Sequence, residues 1–143
     1  MPKLRPEERS SVSREGCERE PPAGLLRGIR QLNAGEYWEC HETLETLWRQ
    51  ESGTIRYLYQ GILLVAVGLL HLERRNHHGA RVKLRTGVEL LAPFSPSCMR
   101  VDVAGLGAAA LEVLTALDLG EGGMEAALKL PRPTCRCEPP TGF

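Results

Sequence analysis

The chain lacks an excess of either charge. Its 18 Lys and Arg residues balance 18 Asp and Glu residues over 143 positions, so no global field draws it to nucleic acid or to an anionic membrane. It also lacks an apolar run long enough to span a bilayer. The longest stretch, Gly61 to Leu70, is followed at once by His71 and Glu73 and suits a buried helix. The first residues are charged where a signal peptide would need an apolar segment, so secretion is not expected. Cys17, Cys40, Cys98, Cys135 and Cys137 are odd in number and follow no regular framework. The expectation is a reducing cytoplasm with free thiols, since Cys135-x-Cys137 lacks the further ligands of a closed zinc site. Strand-like alternation of useful length is missing too, which leaves an all-α fold.

What remains is organised by proline and glycine. Residues 1–22 are dense in charge and end in Pro21-Pro22, the composition of a disordered or loosely attached arm. Residues 23–119 carry helix-period stripes for a compact bundle of about five helices. The first runs from Ala23 to Leu32 and is broken by Asn33-Ala34-Gly35; the second spans Glu36 to Gln50. Thr54 can cap a third, Ile55 to Arg75, which is apolar nearly all round and belongs at the centre. A fourth covers His78 to Leu91 before Pro93, and Asp102 caps a fifth to about Leu119. Residues 120–143 form a Pro-, Gly- and Cys-containing tail with one short apolar stretch, Met124 to Leu130.

The second helix carries the candidate site. At about 100° per residue, Leu47, Cys40, Leu44, Tyr37, Trp48, His41, Glu45 and Trp38 follow one another around a broad apolar arc. His41 and Glu45 lie within it, and polar groups so placed must be paired, ligated or working. Trp48, Trp38, Tyr37 and Gln60 are the candidate pocket walls. Histidine and glutamate four apart can reach one cation, and His71, sharing a stripe of the central helix with Gln60, is the candidate third ligand. Zinc, iron, nickel or manganese would suit such donors. His41-Glu42-x-x-Glu45 looks superficially like a zinc-peptidase helix, but Glu42 projects to the polar side. Without a metal, His41 polarised by Glu45 could act as a general base. A second cluster, Arg74, Arg75, Arg81 and Arg85, could seat an anion or form ordinary surface ion pairs.

With the helices placed, the chain resembles domain-of-unknown-function family 309, found in bacteria and archaea. The family signature is His, three residues, Glu, two residues, then Trp or Tyr, matched by His41, Glu45 and Trp48. Leu32-Asn33-Ala34-Gly35-Glu36-Tyr37, Gln60-Gly61, His71 and Asn76-x-x-Gly79-Ala80 are similar to further family positions. Leu32 stands where an aromatic is usual and Cys40 where alanine is common. The resemblance implies a compact helical bundle and a metal-binding role for the signature. The resulting expectation is a cytoplasmic domain whose semi-buried His/Glu site takes a divalent metal or small polar ligand and supports hydrolytic chemistry. The competing reading is a non-catalytic scaffold or interaction module, with His41–Glu45 a structural pair and a homodimer built on Gly61 and Gly68.

Overall fold

Apolar stripes of helical period become two antiparallel hairpins that position the site. A computed structural model describes residues 14–138 of the chain. Helix α1 (Ala23–Asn33) buries Leu25, Gly28, Ile29 and Leu32, one stripe at intervals of three and four. It stops where Gly35 turns left-handed at φ +77°, which lets the Glu36 amide donate to Gln31 O at 2.8 Å. Helix α2 (Tyr37–Gln50) then runs back, burying Tyr37, Cys40, Leu44 and Trp48.

Helix α3 (Arg56–Glu73) is the central one, with both sides of its helical wheel in the core. The helix begins after Ile55, so Ile55 and not Thr54 stands at its N-cap position. It ends as α1 does, with the Asn76 amide donating to His71 O at 2.8 Å, but the left-handed residue is Arg75 at φ +57°. Helix α4 (His77–Leu91) is capped by Asn76, whose side-chain oxygen accepts from the Gly79 amide at 3.0 Å. Gly61 and Gly68 are what let α4 lie so close. A Cβ on Gly61 would sit 2.9 Å from Leu91 Cδ2, and one on Gly68 would sit 2.7 Å from Leu84 Cγ. The glycine face expected to serve a homodimer is therefore filled by the chain's own α4.

Beyond α4, a short 3-10 turn (Ala92–Phe94) leads to a two-stranded antiparallel hairpin, β1 (Ser97–Cys98) and β2 (Val101–Asp102). Asp102 caps α5 (Val103–Leu117) by accepting from the Gly105 amide at 2.9 Å, as its position predicts. The apolar stretch of the tail becomes α6 (Gly123–Lys129), packed on α5. Six helices thus form the bundle among the described residues, and none is long and apolar enough to cross a membrane.

Both ends of the described chain return to the hairpin. Cys137 bridges to Val101, and the Asn33 side chain brackets Cys135 with hydrogen bonds to its amide (2.7 Å) and carbonyl (2.8 Å). Cys17 is disulfide-bonded to Cys98, 81 positions away. This corrects the expectation of free thiols for that pair; Cys40, Cys135 and Cys137 are free. Fold proximity, which spacing along the chain does not encode, made the pair. Residues 14–22 of the expected arm are consequently tied to the bundle, while 1–13 of the arm and 139–143 of the tail lie outside the described residues.

Candidate functional site

Helix α2 presents the site because four residues of rise set His41 and Glu45 one turn apart on its flank. His41 Nε2 lies 3.1 Å from Glu45 Oε2, and both side chains are about four-fifths covered, at 21% and 23% exposure. Arg49, a further turn along, donates from Nη2 to Glu45 Oε1 at 2.6 Å. One carboxylate thereby joins an imidazole and a guanidinium in a line along the helix. Nε2 faces the carboxylate, and Nδ1 is the ring nitrogen turned away from it. That Nδ1 is buried with no protein partner.

The two tryptophans separate. Trp48 turns inward at 8% exposure, and the Arg56 guanidinium lies over its ring at 4.1 Å. Trp48 Nε1 and Arg56 Nε are, like His41 Nδ1, buried and unpartnered. Trp38, expected on the apolar arc, is instead 54% exposed and stacks on the His41 ring with centroids 5.0 Å apart. It stands at the rim of that arc, and the sector that α1 and α3 actually cover stops short of it. Tyr37 is core, its hydroxyl pKa raised by burial and then by nearby Glu73.

His71 is not brought into this group. It sits at the end of α3 beside Asn76, whose Nδ2 lies 3.1 Å from His71 Nδ1, and a Cβ on Gly79 would touch its ring at 2.9 Å. Burial, followed by the charges of Lys83 and Arg74, lowers its pKa below the usual histidine value. Among the described residues no three His, Cys, Asp or Glu side chains converge on a point that could hold a metal ion. Gln60 is buried within α3. The arginine cluster is engaged by the chain itself. Arg81 and Arg85 both hold Asp118, at 2.7 and 3.0 Å, and Arg75 pairs with Glu125. The hydrogen bond from Arg81 chiefly keeps the Asp118 carboxyl below the usual carboxylate range. Arg85 thus turns to Asp118 rather than serving only as a partner along its own helix.

Residues 25–82 match the family model described as Domain of unknown function (DUF309). The match runs from α1 through the start of α4 and so contains the whole His41–Glu45–Trp48 signature. Residues 25–82 are thus similar to DUF309 over about two fifths of the chain. A relative, "Uncharacterized protein YpuF" of Bacillus subtilis (strain 168), is 35% identical over 57 residues, which is 39% of this chain and 33% of that protein. The chain therefore covers about a third of the relative's length. No solved structure matches. Within the matched segment, Arg49 and Arg56 are the site residues that sequence reading missed. Arg49 had a signal, four residues after Glu45; Arg56 had none, since its contact with Trp48 crosses a turn.

Proposed function

We propose that His41, Glu45 and the Trp38 indole bind a small polar ligand with a flat face. The observation that carries this reading is the indole left in solvent, held against the His41 ring. An exposed tryptophan adds little to a core, whereas a rigid aromatic surface beside a carboxylate and a guanidinium offers stacking together with hydrogen bonds. A cation is the weaker occupant. His41 and Glu45 supply two donors, and zinc, iron, nickel or manganese held by protein generally asks for three or more. Hydrolysis is weaker still. Nε2 is taken up by Glu45, and Nδ1, the other ring nitrogen, is covered by protein.

The test follows the Trp38 indole N–H resonance of labelled protein during titration with zinc and with a panel of carboxylates and nucleosides. The expected result is a saturable shift with an organic panel member in the parent, lost in His41→Ala. A shift with zinc alone, lost in both His41→Ala and Glu45→Gln, would move the reading to a metal site. No shift with any of them would sink it. A second reading, a helical interaction module, is favoured by the outer face of α5 and the turn after it, where Leu111 and Leu119 are 48% and 70% exposed beside a groove of about 470 Å³.

A further inference from the structure

Residues 14–22 lie across the hairpin end of the bundle as a strap, and their attachment is unusual. Of these nine positions, Cys17 alone is buried, so the apolar anchor of the strap is the disulfide sulfur itself. Its remaining ties are polar and at the surface. The Arg14 guanidinium donates to the carbonyls of Pro93, Ser95 and Ser97. Arg19 pairs with Glu51 at 3.1 Å, and Glu20 accepts from Arg100. The strap's own partner in each pair is exposed, Arg19 at 54% and Glu20 at 71%, so salt can screen both. One backbone bond reports directly on docking: the Met99 amide donates to Cys17 O at 2.7 Å.

The strap also forms one wall of a cavity. A space of about 170 Å³ is walled on one side by Arg19, Glu20 and Pro22 and on the other by Leu47, Tyr59 and Met99. Its floor is therefore the C-terminal end of the site helix and the start of α3. Lifting the strap would open that floor to solvent while leaving the packing of α3 on α4 untouched.

We propose that Cys17–Cys98 is a redox latch, closed by thiol–disulfide exchange with a disulfide oxidant, which leaves as its dithiol, and opened by a dithiol reductant, that controls whether the strap stays docked along this cavity. In opening, a reductant thiolate attacks Cys17 Sγ, forms a mixed disulfide and expels the Cys98 thiolate, which takes up a proton. The second thiol of the reductant then displaces Cys17 as its thiol and leaves as a cyclic disulfide; two electrons and two protons pass to the protein. The free thiol of Cys137 does not do this. Cys98 pairs with Val101, which bridges to Cys137, so two strand spacings, about 10 Å, separate Cys98 from Cys137. That is beyond disulfide reach without backbone movement.

Amide hydrogen exchange on the full chain, with thiols titrated in each state, tests the latch. In the oxidised protein three free thiols are expected, and Met99 should exchange as slowly as the buried amides of α3. After reduction with dithiothreitol all five thiols should titrate. Met99 should then exchange at least ~10-fold faster than the α3 amides and without dependence on low urea, the mark of local opening. Reoxidation should restore protection. Five thiols in air-oxidised protein would overturn the proposal, as would a Met99 amide that still exchanges at the α3 rate once reduced. Cys17→Ser provides the permanently open form and should behave as the reduced chain does; should that variant fail to fold, the dithiothreitol experiment decides alone.

Discussion

His71 shows how one side chain can carry both a fold boundary and a pH response. Its Nδ1 takes a hydrogen bond from Asn76 Nδ2 while Asn76 Oδ1 caps α4 through the Gly79 amide. Accepting from Asn76 requires a neutral ring with its lone pair on Nδ1. Burial, with Lys83 and Arg74 adding repulsion, lowers the folded-state pKa beneath 6.5. The unfolded chain therefore takes up the proton first on acidification. The stabilising contribution is full above pH 6.5 and is lost as the pH falls from there through the lower folded value. In urea unfolding series, the midpoint should fall as the pH is lowered below about 6.5, and His71→Gln should flatten that fall. An unchanged slope in the variant would mean that His71 is not the titrating group. The lowered carboxylates, Glu51 and Asp118 among them, act in a separate and more acidic window.

At the scale of elements, the α3–α4 contact sets the geometry of the bundle's centre, and glycine is what permits it. A Cβ on Gly87 would lie 3.1 Å from Gly61 O and 3.1 Å from Val65 N, both backbone atoms that cannot swing aside. A Cβ on Gly107, on the outer side of α5, meets nothing within 4 Å. Gly87→Ala should thus cost about 1–3 kcal/mol through forced separation of the helices. Gly107→Ala should gain about 0.5–1 kcal/mol from helix propensity alone. Opposite signs in urea denaturation check the pair, and a gain at Gly87 would contradict the close approach. The same level explains what could be read from sequence. The helices were legible because apolar stripes repeat at their period, and Asp102 because caps are local. The hairpin was not: its strands hold two residues each, and Met99 and Arg100 take the positive φ values, 49° and 61°, that turn chemistry usually assigns to Asn and Gly. Arg75 hid the end of α3 for the same reason. Within the site, the His41–Glu45 pairing followed from spacing along one helix. Trp38's exposure, the Arg56–Trp48 contact and the absence of His71 depended on how neighbouring helices cover α2.

For the whole molecule, the disulfide closes most of the described chain into one loop. With 81 positions between its ends, chain-entropy reasoning assigns it roughly 4 kcal/mol, exerted on the unfolded state rather than on any native contact. The helical core, from Leu25 to Leu117, is built from side chains that this bond does not join, apart from Cys98 itself. Cys17→Ser should therefore keep native far-ultraviolet helicity while unfolding about 10 °C lower. Loss of helicity at room temperature would mean instead that the hairpin end nucleates the bundle. The two contributions of the sulfur pair remain separable. Loop entropy moves the unfolding temperature whatever the strap does, whereas strap release moves Met99 exchange beneath that transition. A variant with the lower unfolding temperature but a Met99 amide still locked to the core would leave a staple that strengthens the fold and gates nothing.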